Sequence, residues 1–425
     1  MPANKGQEPT WGIADPNAFG PLRRDAKVDV VVIGAGFVGL AAALKLAANG
    51  REVAVLGASG IGASGSAISA GHVGPMLYGA RKGPEDIVKV LGSEMGRRLN
   101  ERVALAGSLL FDTIAQHKIS CAHRRGYVGV YRSSRSLDRA ARRFETWARF
   151  GGRARPLSAS EVRDRMASDR YAGGFLLEDG GWVDPLRLLA GLARAASDGG
   201  VAIHTSSPVV SAVREGNRWV VRTDSDTSVL AKDVILATGA STPAFAGLGI
   251  ADSTIQLPCA IAATAPDQSR FRQMLPEGGP VADFDDPAVF APVIDDRGRL
   301  LVSALIRDSG ANARSALAPA RNRLKAVFGE DVQFSTFDAG VIPITLDGLP
   351  NIIRRDDGLI AITGCNGFGL TLGMIAAREA AELVLGTPAD QLALPVKAPK
   401  AIRGASLMSS MIRNIVVPLA NRFGK

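Results

Sequence analysis

Residues 28–33, VDVVVI, form a nearly uninterrupted apolar run that stops at Gly34. A strand buried on both faces of a parallel sheet reads this way, whereas one solvated face would impose alternation. Residues 40–48 then follow a Leu/Ala helical pattern ended by Asn49-Gly50, and residues 52–56 read as a second buried strand. Between the first strand and the helix, Gly34, Gly36 and Gly39 complete G-x-G-x-x-G. Such glycines give a tight turn, close approach of backbone to a pyrophosphate, and contact between helix and strand, so this βαβ unit is predicted to bind a dinucleotide. The acid that usually ends the second strand and accepts hydrogen bonds from the adenosine ribose falls at Gly57, and no arginine follows it to meet a 2′-phosphate. Its loss is expected to cost about 1–3 kcal/mol of dinucleotide affinity.

Downstream, residues 57–77 alternate glycine with other small residues, a stretch that suits either close contact with a flat ligand or an exposed loop. Residues 93–117 carry apolar positions near helical spacing and predict one long helix. Residues 126–132 alternate like a strand, and residues 137–150 predict a basic helix ended by Gly151-Gly152. Asp184 before Pro185 predicts the cap of a helix over 185–197, followed by strands at 201–204 and 209–213. Residues 219–222 and 229–232 predict a hairpin, and residues 233–240 a buried strand running into a glycine turn. Short strands recur between 256 and 338, including 288–294 and 300–305 around the Asp295-Asp296-Arg297-Gly298 turn. A last strand at 358–363, a glycine turn at 364–369 and an Ala-rich helix at 370–385 close the pattern before Gly386.

The fold predicted is α/β: a Rossmann-like dinucleotide-binding domain opening on the N-terminal βαβ unit, with an α+β substrate domain built on an antiparallel sheet. The first is expected over 28–117, 171–255 and 339–390, and the second over 118–170 and 256–338. Residues 1–27 form a lead in which Trp11 anchors onto the body, and residues 391–425 a basic tail.

Composition narrows the function classes. An apolar share of 46% over 425 residues is that of a globular chain with a real core. The formal charge of +9 is concentrated, since residues 391–425 hold Lys397, Lys400, Arg403, Arg413, Arg422 and Lys425 with no acid. Nucleic acid is not expected as a partner, because no recognition motif accompanies that charge and aromatic residues are only 5%. Cys121, Cys259 and Cys365 lie far apart without a C-x-x-C pair, so neither a disulfide framework nor a metal site is expected, and a cytoplasmic location follows. The polar N-terminus lacks the apolar core of a signal peptide. Residues 407–420, mostly apolar between Arg403 and Arg422, read either as peripheral membrane contact or as a tail helix packed on the body and stopped by Pro418.

The second strand-glycine-helix unit, at 358–385, changes the chemical picture. A glycine turn that opens a helix offers free backbone N–H groups and partial positive charge, suited to the electron-rich carbonyl edge of a reduced flavin. One N-terminal pyrophosphate site and one C-terminal ring site together point to FAD.

The first βαβ stretch, GASG at 62–65, GGWVDPLRLLAGLARAA, DVILATGA, and the closing TLDGLPNI…ITGCNGFGLTLGMIAAREAAELVLG resemble the FAD-dependent D-amino acid oxidase family, in its glycine and sarcosine oxidase-like group. Trp11, residues 340–350 and the tail are similar to the gamma-glutamylputrescine oxidoreductase branch, and residues 70–75 to bacterial D-amino acid dehydrogenases. The resemblance implies Gly34, Gly36 and Gly39 at the pyrophosphate, and Ser64 and Gly65 near pyrophosphate and ribityl groups. It implies Val209 or Val210 at adenine, Thr238 and Gly239 beside the dinucleotide, Gly71 and His72 by the isoalloxazine, and Gly367, Phe368, Gly369, Leu370 and Thr371 against the flavin. The family's glycines in the strand DRGRLLVSA are replaced by Ser303-Ala304, no arginine precedes it in AVFAPVI, and Phe337 stands where a tryptophan is frequent. These departures weaken the expectation of a plain α-amino acid.

The activity implied is removal of hydride from the carbon beside an amine, leaving an imine that water hydrolyses. The partner expected is a small amine or amino acid substrate. His72 is the candidate catalytic residue, able to orient or deprotonate the amine. Cys365, Asn366 and Phe368 are further candidates for the pocket wall, Cys365 as packing or as a covalent flavin link, and Tyr78, Arg307 and Arg354 for substrate contact. The competing reading is a degenerate flavoprotein-fold subunit serving as a partner or scaffold.

Overall fold

The fold is taken from a computed structural model that describes residues 10–11, 18–63, 65–74, 83–287, 290–307 and 313–423. Ser64 and Tyr78 lie outside the described residues. A seven-stranded sheet runs in the order Val396–Lys397, Asn351–Arg354, Ile360–Thr363, Asp233–Leu236, Val30–Ile33, Val53–Leu56, Ala202–His204. The five strands from Ile360–Thr363 to Ala202–His204 pair in parallel, and Asn351–Arg354 runs against its neighbour Ile360–Thr363. Every residue of Val30–Ile33 and Val53–Leu56 is buried, as their unbroken apolar runs require. Helix Phe37–Ala47 covers this sheet with its alanines and leucines and packs beside helix Met374–Leu385. The two glycine-opened helices are therefore neighbours.

Three further sheets complete the fold. Val281–Asp283, His123–Tyr131, Gly173–Val183 and His72–Val73 pair in that order, with Ala154–Ser158 also on Gly173–Val183. Val293–Ile294, Leu300–Leu305, Ile255–Thr264 and Phe334–Ile344 form an antiparallel sheet. The predicted hairpin forms as Arg218–Thr223 with Ser228–Ala231, joined by Val209–Glu215 and Ala26–Lys27. Trp11 is the anchor expected of it: fully buried, its indole N–H donates to the Ser69 carbonyl at 2.9 Å. Asp184 caps helix Pro185–Asp198 by accepting from the backbone of Leu186 and Arg187 at 3.0 and 2.9 Å.

Two helix predictions are corrected. The long helix over 93–117 is two, Ser93–Ala104 and Ala106–Gln116, broken at Leu105. The break sets Gly107 against the Asp179 carbonyl, 1.8 Å from where a side chain would begin, a close approach that helical spacing alone does not reveal. Nor does Pro418 stop the tail helix. Helix Ala405–Met411 passes through one wide turn, Ile412–Val416, into Val417–Phe423. Pro418 thus sits inside a continuous helix, just after the wide turn that takes up its clash with the preceding carbonyls.

Candidate functional site

Parallel strands place all their carboxyl ends on one edge, and here that edge collects the glycine turns. Val30–Ile33 leads into Gly34 and Gly36, Asp233–Leu236 into Thr238 and Gly239, and Ile360–Thr363 into the turn at 364–369. The edge lies where strand order reverses about Val30–Ile33, the crevice in which open α/β sheets bind ligands. Gly34 takes φ +118°, and a side chain there would begin 2.5 Å from the Ala237 carbonyl. At Gly39 it would begin 1.8 Å from the Gly34 carbonyl, so the glycine is needed for helix–strand contact. Helix Phe37–Ala47 starts at Gly36 with no side-chain cap, which leaves its first N–H groups for a ligand.

The second glycine turn departs from the expected simple helix start. Gly369–Gly373 is one wide turn before Met374–Leu385, and Gly373 lies against Val38 and Cys365 at 3.1 and 3.3 Å from its missing side chain. Both helix openings thus meet. Gly239 and Gly369, at the ends of two of these strands, face space, as does the exposed Gly65: among the described residues nothing lies within 4 Å of where their side chains would begin. A cradle built of backbone, with room where side chains would stand and uncapped N–H groups at its end, fits a dinucleotide.

Just past the second strand, Gly57 donates its N–H to the His204 carbonyl at 2.8 Å, and its own carbonyl accepts from the Ser207 backbone at 2.8 Å. A side chain there would begin 3.0 Å from Ala35 Cβ and 3.2 Å from the Ser59 carbonyl, so the missing acid is matched by a close backbone fit. The segment tied to Gly57 leads on to Val209, half-buried, and Val210, which is exposed.

His72 enters from the other side. Strand His72–Val73 pairs with Trp182 and Gly181 and lies against the turn Gly369–Gly373. Gly71 precedes it at φ +76° because a side chain would begin 2.0 Å from the Val183 carbonyl, so its requirement is met by the protein itself. His72 Nε2 lies 3.1 Å from the Ala291 carbonyl. That partner only accepts, so Nε2 carries the proton and Nδ1 is an acceptor; Nδ1 is buried without a hydrogen-bond partner among the described residues. Burial is the main cause that lowers the imidazole pKa to about 4, against a smaller upward pull from the Ala291 bond. Tyr127 meets the ring edge-on with centroids 5.7 Å apart, and Phe284 stacks on Tyr127 at 6.4 Å. Ala291, Tyr127 and Phe284 were not legible as site residues, because long-range pairing alone brings them to His72.

The depressed pKa has a consequence for stability. The unfolded chain binds a proton at His72 below about 6.5 and the folded chain only below about 4. Stability is therefore lost as pH falls through that window, by roughly 3 kcal/mol if the whole shift is expressed. Urea titrations at pH 7 and pH 4.5 are expected to differ less in His72→Gln than in the wild type.

The other candidates separate. Cys365 is half-buried, and desolvation pushes its thiol up to about 12, which suits packing and not a nucleophilic link to flavin. Asn366 is committed to the turn: its Oδ1 accepts from the Thr345 backbone at 2.8 Å and its Nδ2 donates to the Gly364 carbonyl at 2.7 Å. Phe368 packs on the main core at the head of the wide turn. Arg354 pairs with Ile360, at the opposite end of that strand from the glycine turn. Arg307 is exposed beside Asn414, 3.4 Å away, on the C-terminal helix.

Comparison with known proteins agrees with this cradle. Residues 29–383 match the family model described as FAD dependent oxidoreductase. The chain is 30% identical over 376 residues to a probable oxidoreductase OrdL of Haemophilus influenzae, covering 87% of this chain and 85% of that protein. It is 28% identical to the gamma-glutamylputrescine oxidoreductase of Escherichia coli, over 87% of this chain and 86% of the relative. Its fold is shared with glycine oxidase from Geobacillus kaustophilus, at a TM-score of 0.67 and 21% identity over 85% of this chain and 95% of that one. The cofactor expected from the two glycine turns is thus FAD, and the chain belongs to the FAD-dependent oxidoreductase family.

Proposed function

We propose that this enzyme oxidises the C–N bond of a small amine or amino acid derivative, and that it works in the cytoplasm. The observation that carries the reading is the meeting of the two glycine-opened helices beside His72; the relatives named for amine and amino acid substrates support the substrate class. The backbone at Gly34, Gly36 and Gly39 would hold the pyrophosphate, Ser64 and Gly65 the adjoining chain, and Val209 or Val210 the adenine. Thr238 and Gly239 would flank the dinucleotide, with Gly71, Gly367, Phe368, Gly369, Leu370 and Thr371 at the flavin. When bound, FAD supplies the oxidant that takes hydride from the carbon beside nitrogen. The substrate is left as an imine, which water converts to a carbonyl compound and the free amine or ammonia.

His72 would position the substrate. With a pKa near 4 it is neutral at physiological pH, and far too weak a base to deprotonate an alkylammonium. Its Nδ1, without a hydrogen-bond partner among the described residues, would instead accept a substrate N–H, a bond that favours the orientation in which the amine lone pair remains free. The substrate must therefore arrive as the neutral amine or lose its proton to water. Three free cysteines, two of them buried, agree with a reducing compartment.

His72→Ala is expected to lower kcat/KM for the best amine by about ten-fold, the worth of one hydrogen bond, while leaving the pKa values of the pH profile in place. Unchanged turnover, or loss of a titration in the profile, would remove the positioning role.

A further inference from the structure

The C-terminal helix has two apolar faces, and the body covers only one. Inward, Ala405, Ser409, Val417 and Ala420 are buried. Ser409 Oγ accepts from the Gln256 backbone at 3.1 Å, and Arg323 donates to the Ala420 carbonyl and to Asn421 Oδ1 at 3.1 and 3.2 Å. The helix is thus fixed to the strand Ile255–Thr264 and to the Arg323 helix, Ala313–Phe328. Outward stand Leu407, Met411, Ile415, Val416 and Leu419, 67%, 52%, 51%, 52% and 46% exposed. Leu407, Met411, Ile415 and Leu419 recur every four residues in a stripe roughly 18 Å long down one side, with Val416 beside it. Half of the large hydrophobic side chains exposed among the described residues are these five. Scattered exposed leucines are ordinary, but a continuous row on a docked helix marks a contact surface.

Charge selects what covers it. Residues 391–425 contain no acid, and Lys400, Arg403 and Arg422 are exposed at the two ends of the helix. A second copy of the same face would bring those cations together, whereas an anionic bilayer surface satisfies the stripe and the cations at once. No helix among the described residues is long and apolar enough to cross a membrane, so contact is with the surface only. We propose that the outer face of helix 405–423 docks the folded enzyme on membranes containing anionic phospholipid, with Leu407, Met411, Ile415 and Leu419 entering the headgroup boundary and Arg403 and Arg422 meeting phosphates.

The full-length FAD-loaded protein should co-sediment with vesicles of phosphatidylcholine plus phosphatidylglycerol, more weakly with phosphatidylcholine alone, and less as salt is raised. Leu407→Ser/Ile415→Ser/Leu419→Ser should lower that partition by at least about ten-fold, because three inserted side chains are lost. Its flavin content and its turnover in solution should be unchanged. Arg403→Gln/Arg422→Gln should abolish the preference for phosphatidylglycerol. The proposal is overturned if the triple variant binds vesicles as the wild type does. It is equally overturned if the wild type ignores both vesicles, including the case in which it is a dimer that the triple variant splits, which would assign the stripe to a second copy. None of these outcomes depends on the substrate.

Discussion

Gly369→Leu should give a folded protein without yellow colour. Among the described residues nothing lies within 4 Å of the point where the new side chain starts, so they do not resist it. The leucine would occupy the space assigned to the flavin, and affinity for FAD should fall by two orders of magnitude or more, about 3 kcal/mol. Gly39→Val should also lose flavin, but through a different cause, since its Cβ would lie 1.8 Å from the Gly34 carbonyl and must displace the first helix from its strand. Thermal unfolding of the two apoproteins separates the cases: Gly369→Leu should melt with wild-type apoprotein, and Gly39→Val several degrees lower. Full FAD occupancy in Gly369→Leu would show that the open space at this turn is not the cofactor's.

Arg132→Met is expected to be the most destabilising single change outside the glycine turns. Its guanidinium joins two fully buried carboxylates, with Nε 2.8 Å from Asp283 and Nη2 3.2 Å from Asp286. Tyr171 donates to Asp283 at 3.2 Å, and Arg323 reaches Asp286 at 2.9 Å. Burial raises the Asp283 pKa and Arg132 opposes that rise, so removing the cation leaves a buried carboxylate poorly compensated. A cost of about 3–5 kcal/mol is expected in urea titration. Arg323→Met should cost less, because Asp286 keeps Arg132. The network also reaches the site: Phe284, next to Asp283, stacks on Tyr127, which meets His72. Arg132→Met should therefore lower amine turnover even where the protein remains folded, whereas a wild-type kcat would separate the network from the pocket.

What the sequence made legible follows the range over which each signal acts. The first strand, its glycine turn and its helix are local, carried by an apolar run and three glycines, and they stand as expected. So does the closing strand with its glycine turn, although the wide turn Gly369–Gly373 that joins it to the helix has no sequence mark. The strand Gly173–Val183 was missed because its glycines and its Glu178-Asp179 pair break the alternation of a half-buried strand. Each has a tertiary reason. Gly181 backs onto the Arg124 carbonyl, and Asp179 takes the guanidinium of Arg153 at 2.7 Å. Leu105 interrupts a helix whose periodicity is unbroken, because Gly107 must reach the sheet. His72 could be singled out from its place after a glycine, but its tautomer, its low pKa and its edge-on tyrosine come from chains of contact with residues 127 and 291.

The most direct measurement is the visible spectrum of the purified protein, supplied with excess FAD and freed of unbound cofactor, then recorded anaerobically against a panel of amines and amino acids. Stoichiometric FAD that survives Gly57 and is bleached by one class of amine is the result predicted. Protein that stays colourless after reconstitution, or a bound flavin that no amine or amino acid bleaches, would contradict it.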